Sequence, residues 1–270
     1  MRAGRKLAKR LAATADVFAR PVDGVTILIY HRVGGRTSVP VDQPLGLFDE
    51  QMAWLAAQSR AETLDRAVAQ LRGAASPAPG RSVVVTFDDG TADFVSDALP
   101  ILVEHQVPAT LYVATEFIER QIAFPDAGTP LTWTALAEAV STGLVTVGSH
   151  THSHALLDRL PEGQVVDELD RSIDLIGERL GVQAQHFAYP KALPGSPAAD
   201  RAVRARFESA AIARTRPNQY GRTDVFNLTR SPIQVSDGMR WFERKANGGM
   251  WAEDSLRRLV NRRRYAGATT

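Results

Sequence analysis

The stretch Ser-Val-Val-Val-Thr-Phe-Asp-Asp-Gly, residues 82–90, decides the fold of this 270-residue chain. Its first six residues form a short, β-branched and mostly apolar run, which is typical of a strand buried on both faces. Such strands belong to parallel sheets that are covered by helices. The run leads directly into two carboxylates and a glycine. The stretch therefore predicts a buried strand that delivers acidic side chains to one edge of a sheet.

Further strands and helices alternate on both sides of this stretch. The other predicted strands share its short apolar character and lie at residues 25–30, 109–113, 144–148, 185–188 and 210–213, with an extended segment at 226–235. The predicted helices lie at residues 48–58, 64–71, 94–106, 132–141, 162–180, 197–207, 239–247 and 252–263. This alternation predicts a single α/β domain whose parallel sheet is either open or closed into a barrel.

Four of the predicted strands run directly into side chains that can bind metals or transfer protons. These strand ends are Tyr30-His31, Asp88-Asp89-Gly90, the run from Ser149 to His154, and Tyr189-Pro190. In α/β barrels the active site lies at the carboxyl ends of the strands. We therefore expect the four segments to meet at one opening although they are far apart in sequence.

Asp88 and Asp89 are adjacent carboxylates, which repel each other unless a cation or a shared proton relieves the repulsion. Gly90 permits a tight turn that would aim both side chains inward. The alternative is a surface turn, because Asp-Gly is a common turn pair.

His150 and His154 are four residues apart, a spacing that places both imidazoles on one face of a helical turn and lets them share a metal. In that geometry His152 points elsewhere. Isolated histidines are more often surface or core residues, but three of the six in this chain fall within five residues after a buried strand. His150 and His154, together with one of the two Asp residues, form a set of two histidines and one carboxylate. Such a set leaves coordination positions on the metal open for water and substrate.

Thr86-Phe-Asp-Asp-Gly90 and His150-Thr-His-Ser-His154 resemble the first two motifs of the polysaccharide deacetylases, the NodB-homology group or carbohydrate esterase family four. The resemblance extends over about residues 25–235 and includes the stretch 108–113. It implies a distorted (β/α)₇ barrel and one divalent metal ion, zinc being expected while cobalt, nickel or iron(II) suit the same ligands. It also implies that Asp88 is the general base and that Asp89, His150 and His154 bind the metal.

The third family motif is altered in this chain. Many members have Arg-x-Pro-aromatic, whereas the matching stretch is Ala188-Tyr-Pro-Lys191, so that the Arg is missing and Lys191 replaces the aromatic residue. Arg230 is the candidate replacement for the missing Arg and is also a candidate substrate-binding residue, with a plain surface Arg as the alternative. Tyr189, with Pro190 beside it, is expected at the opening, where its ring could stack on a sugar.

A late Leu-x-His motif, which supplies the general acid in many members, also has no counterpart after residue 186. The opening Tyr30-His-Arg-Val33, however, resembles the poly-N-acetylglucosamine deacetylase branch, in which a histidine after the first strand takes the acid role. The resemblance therefore assigns the general acid to His31.

Composition excludes several classes of protein. Charged residues make up 23% and hydrophobic types 44%, an ordinary globular mixture, and the absence of cysteine excludes disulfides and thiolate metal sites. The phosphate-loop, dinucleotide-binding and serine-elbow motifs do not occur. A nucleic-acid partner is not expected, because basic charge is concentrated at the chain ends.

Both ends of the chain are basic. Residues 1–20 carry six Arg or Lys and one Asp, and residues 257–264 carry five Arg. The predicted organisation is a basic amphipathic helix at 1–22, a catalytic domain at 23–240 and a basic helical tail at 241–270. The ends could contact an anionic membrane surface, or they could be solvated helix ends. With neither a signal peptide nor a spanning helix evident, we expect a cytoplasmic protein or one peripheral to the inner membrane surface.

These observations together predict a metal-dependent hydrolase that removes N-acetyl groups from an N-acetylated glycan or glycolipid. The alternatives are an O-acetyl esterase or other amide hydrolase of the same fold, and a carbohydrate-binding protein on a decayed enzyme fold. The altered third motif favours the decayed protein. Retention of two adjacent acidic groups beside the histidines argues against it.

Overall fold

Seven parallel strands close into a barrel in the computed structural model, which describes residues 23–77 and 80–251. The strands follow one another round the barrel in chain order, and the last one pairs with the first. They are β1 (Gly24–Tyr30), β4 (Val83–Phe87), β5 (Ala109–Val113), β6 (Val145–Ser149), β7 (His186–Ala188), β8 (Ser209–Ala213) and β10 (Leu228–Pro232). The closed parallel barrel confirms the predicted (β/α)₇ architecture.

Three short strands stand outside this order, and the hydrophobic pattern predicted none of them. Strands β2 (Arg32–Val33) and β3 (Asp42–Gln43) pair with each other in parallel, and β9 (Asn218–Gln219) pairs antiparallel with the start of β1. Two-residue strands are too short to show a hydrophobic period, so only the tertiary structure reveals them.

The α-helices among the described residues cover the outside of the barrel and one of its ends. They are Leu45–Ala57, Leu64–Leu71, Leu99–Glu104, Thr115–Arg120, Trp133–Ser141, Glu162–Leu180, Pro197–Arg204 and Gly238–Ala246. Several begin at hydroxyl caps: the side chains of Thr63, Thr132 and Ser196 each accept the backbone N–H three residues further on. The longest helix ends at Gly181, which adopts a left-handed conformation at φ 68°.

The segment predicted as one helix at 94–106 is divided in two. A π-helical turn, Phe94–Ala98, precedes the α-helix Leu99–Glu104, and the N–H of Leu99 bonds to the carbonyl of Phe94 five residues back. Pro100 has no backbone N–H and cannot make the regular helical bond at this point, which accounts for the irregular turn.

Side chains of the barrel strands divide between two apolar cores. On β1, Leu28 and Tyr30 belong to the core between the barrel and its helices, whereas Val25 and Ile27 face the inside of the barrel. The interior core contains side chains from six of the strands together with the buried face of the helix Leu64–Leu71. The chain enters that helix from a backbone pairing with the start of β4, so the helix covers the amino-terminal opening of the barrel. The opposite opening, at the carboxyl ends of the strands, is called the mouth below.

The helix Gly238–Ala246 packs against the barrel with Phe242 and Ala246 buried. The domain boundary predicted between residues 240 and 241 falls inside this helix and is wrong, because Trp241 and Phe242 belong to the packed structure. The predicted helices at 1–22 and 252–263 lie outside the described residues, and membrane contact through them stays a prediction. Among the described residues, no helix has the length and apolar character needed to cross a bilayer.

Candidate metal centre and catalytic residues

Backbone hydrogen bonds bring the predicted strand ends together at the mouth. The N–H of Asp88 donates to the carbonyl of Tyr30 at 3.1 Å, and the N–H of His150 donates to the carbonyl of Val113 at 2.9 Å. The ends of β1, β4, β5 and β6 are therefore level with one another. Because these strand ends are aligned, the residues that follow β1, β4 and β6 lie around one opening, as the sequence predicted.

Asp89, His150 and His154 offer three ligand atoms that all lie within 4.8 Å of one another. Oδ1 of Asp89 is 3.7 Å from Nε2 of His150 and 3.5 Å from Nε2 of His154. Two ligands at about 2.1 Å from a tetrahedral ion stand roughly 3.4 Å apart, so one ion fits between these atoms with little adjustment. The donor set of two imidazoles and one carboxylate suits a zinc-type divalent ion and leaves open positions on it.

The orientation of His150 is fixed by the neighbouring strand. The residue is 1% exposed, and its Nδ1 lies 2.7 Å from the carbonyl oxygen of Ala188. Nδ1 must donate to that carbonyl, which leaves the lone pair of Nε2 facing Asp89. Burial, together with the repulsion of a protonated His150, lowers the pKa of the His154 ring, which favours the neutral form that binds metals.

The two histidines do not lie on a helical turn, so this part of the prediction is wrong. Residues 150–154 form an irregular loop in which Thr151 and His154 have positive φ values of 66° and 61°. Left-handed backbone at non-glycine residues persists only where the surroundings enforce it. The loop bends in such a way that His150 and His154 still face each other, with ring centroids 5.0 Å apart.

Glu168, on the helix Glu162–Leu180, holds this loop in place. Its carboxylate accepts the N–H of Ser153 at 2.8 Å and the hydroxyl of Ser153 at 2.7 Å, and its carbonyl accepts the N–H of His152 at 3.1 Å. The His152 ring points away from the ligand set and lies 2.9 Å from the hydroxyl of Thr115. The sequence analysis missed Glu168, because nothing in the local pattern of a long amphipathic helix distinguishes one carboxylate from the others.

The turn after β4 sends its two carboxylates in different directions. Asp89 has φ 77° and Gly90 has φ 100°, so two successive residues adopt left-handed backbone. This turn directs Asp89 toward the histidines, whereas Asp88 points into the barrel and is 5% exposed. Strain at a non-glycine residue is typical of functional positions, where the geometry of the side chain matters more than local stability.

Asp88 forms a bidentate pair with Arg230, which lies on β10. Nη1 and Nη2 of Arg230 donate to the two carboxylate oxygens at 2.6 and 2.9 Å, and Nη1 also lies 3.1 Å from the hydroxyl of Thr86. Burial alone would raise the pKa of Asp88, but the attraction of Arg230, and then of His150, lowers it to about 2. Asp88 is therefore ionised at neutral pH.

The position of Arg230 corrects two expectations. Its side chain is fully buried, so it is not a surface Arg. It also lies behind Asp88 in the barrel interior, and therefore cannot contact a substrate at the mouth. The geometry agrees instead with the suggestion that Arg230 takes the place of the Arg missing from the third motif.

His31 follows β1, whose end is joined to Asp88 by a backbone hydrogen bond from Asp88 to Tyr30. Its positive charge, when protonated, is among the influences that lower the pKa of Asp88, and its side chain is partly exposed. Its Nδ1 is buried without a hydrogen-bond partner among the described residues. A partly exposed imidazole at the mouth can exchange a proton with a bound molecule.

The predicted substrate contacts of Tyr189 and Pro190 are not supported by their positions. Tyr189 is 3% exposed, and its ring meets the ring of Phe187 edge-on at 4.9 Å in the core outside the barrel. Burial raises the pKa of its hydroxyl. Pro190 is also buried, in the turn Pro190–Ala192. The residue that reaches the surface here is Lys191, whose charge contributes to lowering the pKa of His154.

Phe117 is an aromatic residue near the ligand set that the sequence analysis missed. Its ring stacks face to face on Phe124 at 4.4 Å and meets the His154 ring edge-on at 6.5 Å. Phe117 is partly exposed, whereas Phe124 behind it is 7% exposed. It lies on the helix Thr115–Arg120, which begins directly after β5. The residues directly after β5 include no metal-binding side chain, so the sequence pattern does not mark this strand end as part of the site.

Comparison with known proteins agrees with this geometry. The family model described as "Polysaccharide deacetylase" matches residues 75–209. The chain is 28% identical over 165 residues to YxkH of Bacillus subtilis (strain 168), a match that covers 61% of this chain and 55% of YxkH. It is 32% identical over 117 residues to poly-beta-1,6-N-acetyl-D-glucosamine N-deacetylase of Escherichia coli (strain K12), covering 39% of this chain and 17% of that protein. The chain thus spans about half, or less, of these relatives.

A solved structure extends the match over most of the described chain. The structure of IcaB from Ammonifex degensii superposes with a TM-score of 0.70 and 26% sequence identity, and the match covers 82% of this chain and 97% of IcaB. The likeness therefore includes the whole barrel rather than the two motifs alone.

Proposed function

The chain belongs to the polysaccharide deacetylase family, and from that premise we propose that it removes N-acetyl groups from an N-acetylated glycan or glycolipid by hydrolysis. We further propose that the reaction depends on one divalent ion, of which zinc is the expected identity. The amide that is cleaved yields acetate and a free amine on the sugar.

One observation carries this proposal. A buried, ionised carboxylate, that of Asp88, directly precedes in sequence a second carboxylate, which together with two imidazoles surrounds a space large enough for one metal ion. The first group has the charge state of a base, and the other three have the donor types and spacing of a catalytic metal site. A decayed binding protein has no need for the pairing of Asp88 with Arg230 inside the barrel. The geometry thus favours an enzyme.

Asp89, His150 and His154 would hold the ion. When bound there, it supplies a Lewis acid for the acetyl carbonyl and lowers the pKa of a water molecule towards about 7. Asp88 remains deprotonated at neutral pH and accepts the proton of the attacking water. Arg230 keeps the plane of the Asp88 carboxylate fixed through two hydrogen bonds, so that one of its lone pairs stays available toward the mouth.

His31 acts as the general acid in this proposal. It follows β1, the direct neighbour of the strand that leads into Asp88. An amine is a poor leaving group unless it is protonated, so the imidazole would donate a proton to the nitrogen as the C–N bond breaks. Phe117 offers an apolar ring face beside His154 on which a sugar ring could rest.

The test is the release of acetate from a panel of N-acetylated glycans by the full chain. The panel begins with oligomers of β-1,6-linked N-acetylglucosamine, which is the substrate named for the Escherichia coli relative. It also contains chitin-type and peptidoglycan-type oligomers, a lipid-linked N-acetyl sugar and an O-acetylated sugar. We expect acetate from at least one N-acetylated member with metal-loaded protein, and none after chelation. Release of acetate from the O-acetylated sugar alone would show that the protein is an O-acetyl esterase and would refute the proposed N-deacetylation.

The Asp88→Asn variant separates the base from the metal ligands. We expect this variant to lose turnover while elemental analysis still finds about one metal per chain, because Asp88 lies outside the ligand set. Asp89→Asn is the matched variant, and it should lose metal. If Asp88→Asn loses the metal instead, the two Asp roles have been exchanged.

A further inference from the structure

The ring of Tyr112 lies inside the barrel against the guanidinium of Arg230. Tyr112 belongs to β5 and is fully buried, and the Arg230 Cζ lies 5.0 Å from the centre of its ring. The hydroxyl of Tyr112 is buried without a hydrogen-bond partner among the described residues. The ring is therefore the part of this side chain that makes the specific contact.

The buried guanidinium needs this ring because it has no solvent around it. Its Nη1 and Nη2 are occupied by Asp88 and Thr86, while its Nε has no hydrogen-bond partner in the described part of the chain. These bonds lie in the plane of the guanidinium and leave its flat faces uncovered. An aromatic face is electron-rich and attracts a cation more strongly in a desolvated site. The ring thus stabilises the charge and restricts the tilt of the guanidinium plane.

Gly148 makes room for the ring. It is the register partner of Tyr112 on the neighbouring strand β6. A Cβ atom at residue 148 would lie 2.6 Å from Cδ1 of Tyr112 and 2.8 Å from the carbonyl oxygen of His186. Both distances are far shorter than a van der Waals contact, so any side chain here would displace the ring. The strand that makes room for Tyr112 therefore also leads, two residues beyond Gly148, into the proposed ligand His150.

We propose that Tyr112 is a positioning residue for Asp88, which it orients by holding the guanidinium of Arg230 over its ring. The inference rests on the proposed function insofar as Asp88 is the base. The chain of contacts runs from the Tyr112 ring to Arg230 and from Arg230 to both oxygens of Asp88. A tilt of the guanidinium would move the carboxylate, and a displacement of about 1 Å at a reacting group can cost about a hundredfold in rate.

The activity test compares Tyr112→Leu with Tyr112→Phe. The Leu variant removes the ring and should lower kcat by at least about tenfold with little change in KM, because Asp88 takes part in the reaction and not in binding. The Phe variant keeps the ring and loses a hydroxyl that has no partner, so it should retain most of the kcat. Phe207→Leu is the matched control. It removes a buried ring from the core outside the barrel and should leave kcat unchanged.

A second measurement needs no substrate. Urea unfolding of the metal-free full chain measures the equilibrium constant for folding. Tyr112→Leu should lower this constant strongly in the native background and much less in an Arg230→Met background. We expect this coupling to reach about tenfold in the equilibrium constant, as is typical of residues in direct contact. Additive effects of the two substitutions would overturn the inference, and so would a Tyr112→Leu variant with native kcat.

These outcomes also separate the inference from the proposed function. If the unsubstituted protein releases no acetate from any glycan, the proposed function fails while the unfolding cycle still tests the contact of Tyr112 with Arg230. If the protein is active and both Tyr112 variants behave alike in kcat, only the inference about Tyr112 fails.

Discussion

Replacing Arg230 by Met should destabilise the protein far more than the loss of an ordinary ion pair. The substitution keeps an unbranched side chain of similar length but removes the charge that neutralises Asp88. Arg230 is fully buried and Asp88 is 5% exposed, so water cannot take over the two hydrogen bonds to the carboxylate. Asp88 is then left as a buried charge without a partner.

The size of the effect follows from that burial. Removing one partner of a buried pair costs about 3–5 kcal/mol, which is a large part of the roughly 5–15 kcal/mol that stabilises a typical domain. For a chain of this size, about 1 kcal/mol corresponds to a shift of roughly 2–4 °C in the melting temperature, so a decrease of roughly 6–20 °C is expected. The rate of acetate release should also fall, because the carboxylate loses its fixed plane.

Arg204 provides the matched control. It too forms a bidentate pair, with Asp224, but its side chain is 39% exposed and the Asp224 side chain 47% exposed. Exposed pairs contribute about 1 kcal/mol or less, so Arg204→Met should change stability only slightly. The double variant Asp88→Asn, Arg230→Met should be more stable than Arg230→Met alone, because it leaves no unpaired charge. Urea unfolding at pH 7 measures all four proteins. Equal losses for Arg230→Met and Arg204→Met would refute the argument from burial.

Three further predictions concern the mouth. Glu168→Ala should weaken metal binding by about tenfold or more, because the loop that carries His154 loses the hydrogen bonds from Ser153 to the Glu168 carboxylate. The kcat of this variant should recover at saturating metal. Unchanged affinity in a metal titration would contradict this role. Phe117→Ala should raise KM for the best glycan more than it lowers kcat. Replacement of the exposed Ile122 by Ala is the control and should change neither constant. A decrease in kcat alone would exclude a sugar-binding role for the Phe117 ring. His31→Gln should impair hydrolysis of an N-acetyl amide more than hydrolysis of an acetyl ester, because an alkoxide leaves with less acid assistance than an amine. Equal losses on both substrates would argue against His31 as the acid.

The sequence by itself determined the order of the elements and the residues that could bind a metal. Apolar runs between helical segments predicted six strands and an extended segment at 226–235, and the observed barrel contains a strand at each of these seven places. Asp88, Asp89, His150 and His154 could be selected because carboxylates and imidazoles directly after buried strands have few structural reasons to be there. These features are local: they depend on the period of the hydrophobic pattern and on the identity of the next few residues.

The loop that carries the histidines could not be predicted in detail. The spacing of His150 and His154 suggested a helical turn, but the segment is an irregular loop. Glu168, fifteen positions beyond Ser153, stabilises this loop. Two left-handed residues occur in it, and their strain is offset by contacts with another element rather than by their own sequence.

Only the tertiary structure decided which strand residues point into the barrel. Strands that are buried on both faces lack the alternation of polar and apolar residues that would reveal the inward face. Arg230 therefore resembled a surface residue and Tyr189 a residue of the mouth. The pairing of β10 with β1 and β8 turns Arg230 inward, onto an Asp 142 positions away, and the packing of Phe187 turns Tyr189 outward. The inward or outward direction of these side chains is a property of the closed barrel, and no single strand contains it.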